Sequence, residues 1–536
     1  MKKNRKIISS FLAAVLITGA AGCGSEGRGA TDTNAVGTAA VTTTDDPDKQ
    51  FDITSDLNEI ADKVEEVASE NETGAGELYE AGKKAGEIRV LCYYDFNNIS
   101  PENKIIDIFA ERFGGTVVQE NICTSVEYVE KLGVLVASGQ SPDIVRYEAD
   151  MLPSLMINNR LESLDGWLDI ESPLWDDMRD AIDYYSLAGK HYYFPQERQT
   201  GYGFTYNTAN IEEMGAADPM ELYLNDEWTW DALENILEMW QAHKEGAIGI
   251  SSGSGAPIDF AATTGSVPIQ YTGTDIKNNL RDANIMRAME FCEKLYKNGH
   301  IYENYLGPDS SSGWVDRNVL FFNMGCEWTV ECGQQTLFKN NVEGTAKFVP
   351  MPRDPQADKY YQLGSTYGYL VPVGAQNIQG AASWILAGRI YRTDPELIQE
   401  KRDLLMYDGA YYYIKCINKE CGHVYDSEKG EENEVCPECG TARKPKFKLT
   451  YDEDQMRVSD DLLQNNDKFT FVFSEERGFG SDMLHLFEEG AQETLFDTPY
   501  RHGGSYVQLV EAHYNTVESY LAPYRETITE ALANAE

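Results

Sequence analysis

The sequence predicts an α/β protein, and two observations carry that expectation. Between Ile88 and Val145 strand-like and helix-like runs alternate, the pattern of a largely parallel sheet with crossover helices. The 486 residues from 51 to 536 also suffice for two domains or more. In order, Ile88 to Tyr94 reads as a buried strand, Ile105 to Phe113 as a helix and Thr116 to Gln119 as a strand. A helix around Val126 to Ala137 and a strand at Asp143 to Val145 follow. Ligands of such sheets bind at the carboxyl ends of the strands. The turns after Tyr94 and after Val145 therefore single out Tyr93, Asp95, Tyr147, Glu148 and Asp150.

A second unit follows the turn-rich stretch from Gly189 to Gly203. It holds a strand at Phe204 to Tyr206 and a strong helix from Trp230 to about His243, with Leu233, Ile236, Leu237 and Trp240 on one face. Thr229 is placed to cap that helix, and Asp231 suits its positive first turn. Another helix is expected over about Ala283 to Lys297, where Ile285, Ala288, Met289 and Cys292 recur. Helices around Ser481 to Glu488 and Val507 to Tyr520 end the chain, and no repeat of 20 to 50 residues is apparent.

The amino terminus has a different character. Lys2, Lys3, Arg5 and Lys6 precede an apolar stretch from Ile7 to Ile17, which ends at Thr18, Gly19 and Gly22. This reads as an export signal, residues 1–22, too short for a membrane span of roughly 20 apolar residues. Ala20-Ala21-Gly22-Cys23 resembles the lipobox of bacterial lipoproteins, with Ala20 where leucine is usual, and this implies a lipid on Cys23. An ordinary secretory signal is the alternative. Residues 23–50 are small and polar and predict a flexible tether. Within 51–86, Leu57, Ile60, Val64 and Val67 recur at helical spacing, and Asp56 with Glu59 offers a capping box, so a short helical extension is expected.

The formal charge is −43, and removal of the signal leaves 41 basic against 88 acidic residues, or −47. So acidic a chain argues against nucleic acid as a partner and against a basic membrane-binding face, which leaves the anchor as the contact with lipid.

The order of the pieces resembles the carbohydrate-type extracellular solute-binding proteins of ABC importers. The phrases that carry the resemblance are Ser141-Pro142-Asp143-Ile144-Val145, Gly189 to Pro195 before Tyr206-Asn207, Trp228-Thr229-Trp230-Asp231, and Phe321 to Trp328. The resemblance implies two α/β lobes joined by hinge strands, a periplasmic-binding-protein-like fold, with lobe I over 87–203 and 360–405 and lobe II over 204–359 and 450–536. By position it implies that Tyr147 lies at the cleft, that Asp150 is a partner for hydroxyls, and that Trp328 is an aromatic platform. It puts Glu197, Arg198, Gln199 and Tyr202 on the lobe crossover, and Ser365, Thr366 and Tyr367 before the return strand. It further implies a monomer on the extracellular face of the cell membrane that hands a sugar to ABC permease subunits. No cofactor is needed for ligand binding, and no catalysis is expected. A sugar suits the composition, because a pyranose has an apolar face for aromatic rings and a rim of hydroxyls, and the chain has 32 Tyr and 8 Trp.

Within 410–446 lie Cys416-x4-Cys421 and Cys436-x2-Cys439, separated by 14 residues. Two close cysteine pairs on tight turns can meet as a tetrahedral set around structural zinc. The segment resembles rubredoxin-like zinc ribbons, although its x4 spacing departs from their usual x2 and leaves iron open. Two disulfides are the alternative in an exported chain. Cys92 and Cys292 read as buried thiols, and Cys326 and Cys332 as a possible bridge.

Two other functions compete with sugar capture. An extracellular glycan-degrading enzyme needs two carboxylates flanking a bond, and acidic residues are too abundant here to single out a pair. A binding protein of the same fold for peptides or another polar solute, or one that serves a sensor, remains open.

Overall fold

The computed structural model describes residues 85–94, 102–120, 123–124, 127–306, 317–325, 346–403, 421, 435–441, 451–463, 467–479, 481–487 and 494–535. The export signal, the tether, Cys23, the helical extension before Ala85, Asp95, Cys326, Trp328, Cys332 and Cys416 lie outside the described residues.

Two α/β lobes make up the fold. The first is built on a four-stranded sheet of order β15-β3-β1-β2, with β1 Gly86–Leu91, β2 Gly115–Glu120, β3 Ile144–Arg146 and β15 Tyr369–Leu370. β1 runs parallel to β2 and β3, and β15 runs antiparallel to β3. Ile88, Val90 and Leu91 are fully buried because helices cover the sheet. The crossover helix Glu102–Phe113 places Ile105, Ile108, Phe109 and Phe113 inward, and Phe109 meets Trp384 of the helix Ile378–Thr393 edge to face at 5.5 Å. The Ser-Pro-Asp phrase locks this lobe together. Asp143 accepts the Arg89 amide at 2.8 Å and the amides of Gln376 and Asn377 at 2.8 and 2.9 Å, while Ser141 donates to the Val373 carbonyl at 2.6 Å.

The second lobe carries the sheet β12-β7-β11-β8, with β7 Tyr202–Asn207, β8 Ile248–Ser252, β11 Val319–Gly325 and β12 Ala346–Pro350. β7 is antiparallel to both neighbours, and β11 is parallel to β8. The helix Trp230–His243 starts where Thr229 accepts the Ala232 amide, and it buries Trp230, Leu233, Ile236, Leu237 and Trp240. Its tryptophans, and Trp228 just before it, are tied as well as buried. Trp228 donates to the Pro350 carbonyl at 2.8 Å, Trp230 to Thr263 at 3.1 Å and Trp240 to the Ile248 carbonyl at 3.0 Å. The helix Ala283–Lys297 also has the expected bounds.

The last helix differs from its sequence expectation. It spans Tyr506–Ala535, 30 residues, and continues through Pro523. Proline costs one helical hydrogen bond and some strain. Val517, Leu521 and Ile528 are nevertheless fully buried along one face, so packing on both sides of Pro523 holds the helix together. The helix lies against β10 Ile276–Asn278, which pairs with β9 Ile269–Tyr271, and against β4 Ser186–Leu187, which forms a hairpin with β5 Lys190–His191. Among the described residues no helix is long and apolar enough to cross a membrane.

The lobes join through β6 Glu197–Gln199 and β14 Ser365–Tyr367, which pair antiparallel with Gln199 opposite Ser365. β6 passes into β7 through Gly201, and β14 follows β13 Tyr360–Leu363 through Gly364. β13 is parallel to β16 Phe469–Val472. Gly201 has φ +65°, and a Cβ there would stand 2.8 Å from Gln362 Nε2 and 3.2 Å from the Leu363 carbonyl oxygen. A Cβ on Gly364 would stand 2.5 Å from the Phe473 ring, so both breaks require glycine.

Candidate functional site

The ends of β1 and β3 place a charged group among tyrosines. Arg146 and Glu148 are both buried, with Arg146 Nε 3.5 Å from Glu148 Oε1. Tyr93 donates to the same Glu148 oxygen at 2.9 Å and accepts from Arg146 Nη1 at 3.0 Å. The guanidinium also lies over the rings of Tyr93, Tyr94 and Tyr367, at 5.1 to 5.7 Å. Burial pushes the Glu148 carboxyl up to about 7, outweighing Arg146 and the Tyr93 hydrogen bond, which act in the opposite direction.

One residue on, Tyr147 is half-buried and begins a run of aromatic rings. Its ring centroid is 4.6 Å from that of Tyr193, and its hydroxyl is 3.2 Å from that of Tyr185. Tyr184 and Tyr185 end the short helix Arg179–Tyr184 at right angles to each other, and Tyr184 stacks on Phe473 at 4.7 Å. Tyr271 of β9 closes the group, with its ring 6.0 Å from Tyr184 and its hydroxyl donating to the Ser186 carbonyl at 2.6 Å. Elements of both lobes thus meet here, together with the segment 473–479 that follows β16.

That segment brings Glu475 beneath the tyrosines. Its amide donates to the Ile269 carbonyl at 2.9 Å, its carboxyl faces the hydroxyls of Tyr184 and Tyr185, and the residue is only 2 % exposed. Burial pushes the carboxyl up to about 8; the nearby Tyr184 hydroxyl opposes this and the Glu476 charge adds to it. Asp150 is exposed as a residue, yet burial of its carboxyl pushes it up, against the opposing charge of Arg477.

The residues singled out from sequence fall into two groups. Tyr147, Glu148 and Asp150 lie together at the aromatic junction. Glu197, Arg198, Gln199, Ser365 and Tyr367 lie in the β6–β14 pair, where Ser365 donates to Gln199 Oε1 at 3.1 Å and Glu197 pairs with Arg392. Tyr367 is buried with its hydroxyl 2.9 Å from that of Tyr369. Tyr202 opens β7 opposite Gly325 and packs with Val319, Phe322 and Met324. Sequence reasoning passed over Tyr184, Tyr185, Tyr193, Phe473 and Glu475. The adjacent tyrosines at 184 and 185 were a visible signal, but nothing marks Glu475 among 88 acidic residues.

Away from this junction, the sulfurs of Cys421, Cys436 and Cys439 all lie within 4.8 Å of one another, with Cys421 and Cys436 3.8 Å apart. Thiolates at about 2.3 Å from a tetrahedral zinc stand about 3.8 Å from each other, so these donors fit such an ion. The turn that holds Cys436 and Cys439 has Cys436 N donating to the Thr441 carbonyl at 2.8 Å, and Gly440 takes φ +66° while donating to the Cys436 carbonyl at 2.9 Å. Cys92 and Cys292 are buried thiols, as their neighbours in sequence suggested.

A profile of the family described as bacterial extracellular solute-binding protein matches residues 104–395. Among solved structures, the ABC transporter associated binding protein from B. animalis subsp. lactis Bl-04, in complex with β-1,6-galactobiose, is similar with a TM-score of 0.53 and 15% identity. That match covers 83% of this chain and 98% of the other. The GacH receptor of Streptomyces glaucescens GLA.O is similar at 0.52 and 14%, covering 82% and 98%. The sugar-binding protein MalE from Xanthomonas citri is similar at 0.51 and 14%, with the same two coverages of 82% and 98%. At these identities the likeness establishes the two-lobe fold. No curated protein gave a significant match.

Proposed function

Because this chain belongs to the bacterial extracellular solute-binding proteins, we propose that it captures a carbohydrate, an oligosaccharide, between its lobes and delivers it to the permease of an ABC importer. The observation that carries this reading is the junction itself. Half-buried Tyr147 continues into Tyr193, Tyr185 and Tyr184, and the carboxyls of Glu148, Asp150 and Glu475 lie alongside. Rings offer a surface to the C–H faces of a sugar, and carboxyls offer partners to its hydroxyls. Single hydrogen bonds contribute about 1 kcal/mol each, so the two kinds of contact must act together. Similar structures in complex with β-1,6-galactobiose and with acarbose agree with this chemistry.

In this reading the ligand settles on one lobe and the other closes on it by rotation at the β6–β14 pair, because closure adds contacts that the open form lacks. The lobes take the bounds 87–203 with 360–405 and 204–359 with 450–536. Asp95 and Trp328 extend the site, and Glu197, Arg198, Gln199, Tyr202, Ser365 and Tyr367 act at the crossing. The permease reads the closed shape of a monomer, which a lipid on Cys23 tethers to the outer face of the membrane. The four cysteines 416, 421, 436 and 439 hold a structural zinc that leaves no open position for a substrate.

Thermal shift against a panel of oligosaccharides, amino acids and peptides tests the ligand class. A rise in melting temperature with sugars, and no product, supports capture. A rise with peptides alone removes the sugar assignment, and glycan turnover would make the protein an enzyme.

A further inference from the structure

Glu475 lies outside every phrase by which this chain resembles its family. Its backbone amide is spent on Ile269, and the hydroxyls of Tyr184 and Tyr185 reach its carboxyl. Its Oε1 is nonetheless buried without a hydrogen-bond partner among the described residues. An acceptor stripped of water and left unpaired is unfavourable, and native proteins keep one where something else completes it. The charged and titratable groups around it are Tyr147, Tyr184, Tyr185 and Tyr271, on which its charge acts, and Glu476.

Resting on the sugar-binding reading above, we propose that Glu475 is a ligand-contacting carboxyl, and that its Oε1 pairs with a hydroxyl of a neutral sugar lying against Tyr147, Tyr184 and Tyr185. An uncharged carboxyl holds one donor and one acceptor, which a sugar hydroxyl matches, being both itself. Burial among phenol rings favours that uncharged form at neutral pH. A ligand ammonium would instead need the ionised carboxylate. Glu475 therefore selects neutral sugars over amino sugars, in addition to supplying affinity.

Titration calorimetry of the full chain decides this. The probes are maltotetraose, xylotetraose, cellotetraose, mannotetraose, β-1,6-galactobiose and the glucosamine tetramer, applied to the wild type, E475Q, E475A and E475M. We expect one of the neutral sugars to bind the wild type and E475A to weaken it by about tenfold or more. E475Q, which keeps a donor and an acceptor, should stay within about threefold. E475M fills the same space without polar atoms, and it replaces E475A as the test should the smaller side chain fail to fold. Wild-type affinity in E475A or E475M overturns the assignment while leaving sugar capture intact. So does an equal loss in E475Q and E475A, or a preference for the glucosamine tetramer. A wild type that binds none of these sugars overturns sugar capture and this role together.

Discussion

Arg198 donates to the Asp180 carboxylate at 2.6 Å while its guanidinium covers the Phe471 ring at 4.4 Å. One side chain of the crossing strand β6 thereby ties the helix Arg179–Tyr184 to β16. Arg198 is 3 % exposed, whereas the Asp180 side chain is 35 % exposed. Removing the arginine strips a buried contact, but the freed carboxylate can return to water. We expect R198A to lower stability by about 2–3 kcal/mol in urea denaturation, below the figure for a fully buried pair. R198K should fall between R198A and the wild type, because lysine keeps the charge but loses the planar face on Phe471. Equal midpoints for R198A and the wild type would remove this tie from the account of the hinge.

Tyr147 separates ring contact from hydroxyl contact. Y147F removes only the hydroxyl that meets Tyr185 at 3.2 Å, and Y147A removes the ring itself. For whichever oligosaccharide binds, Y147A should weaken the affinity by about tenfold or more and Y147F by about threefold or less, as an aromatic platform requires. Calorimetry checks the ratio, and a reversed order would mean that the hydroxyl is the contact that matters.

Glu148 and Glu475 bind their protons more tightly folded than unfolded, from the ordinary 4.5 up to about 7 and about 8. Their contribution to stability is therefore full below pH 4.5 and is lost as the pH rises through 7 and 8. Melting temperatures between pH 5 and pH 9 should fall for the wild type and fall less steeply for E475Q and E148Q. Each carboxyl contributes at most ~1.4 kcal/mol per pH unit across its window. Parallel curves for the wild type and both variants would show that neither carboxyl titrates in this range.

The cysteine cluster is tested by metal content. Purified protein should carry one zinc per chain, and C436S should carry none, because Cys436 is buried at the centre of the turn. Sugar affinity in C436S should match the wild type, since the cluster lies away from the aromatic junction. Iron in place of zinc, or intact protein with neither metal, would return the cysteines to an electron-carrying or a disulfide role.

Much of the fold was legible because it rests on local signals. The Thr229 cap and the apolar face of Trp230–His243, and the apolar face of Ala283–Lys297, are such signals, and both helices have the expected bounds. The final helix, expected to end near Tyr520, runs on through Pro523, a residue that locally opposes helix, and the burial of Leu521 and Ile528 that carries it through is tertiary. The site divides in the same way. Tyr147, Glu148 and Asp150 follow a strand end, which a pattern reveals. Glu475 meets Tyr184 across 291 positions of the chain, and Phe473 stacks there only because β16 pairs with β13. No window of sequence contains that encounter.

The paired breaks at Gly201 and Gly364 constrain how a guest can be held. They sit side by side, and the strands around them are laced by Gln362 to the Thr200 carbonyl at 2.6 Å and by Ser365 to Gln199 at 3.1 Å. Sliding β6 past β14 would break both bonds, so the pair favours a swing about the line through the two glycines. In the closure proposed above, the pair would then act like a door on one pintle. The reach of the gap at a given angle, more than the strength of any one contact, would set the longest guest that can be shut inside.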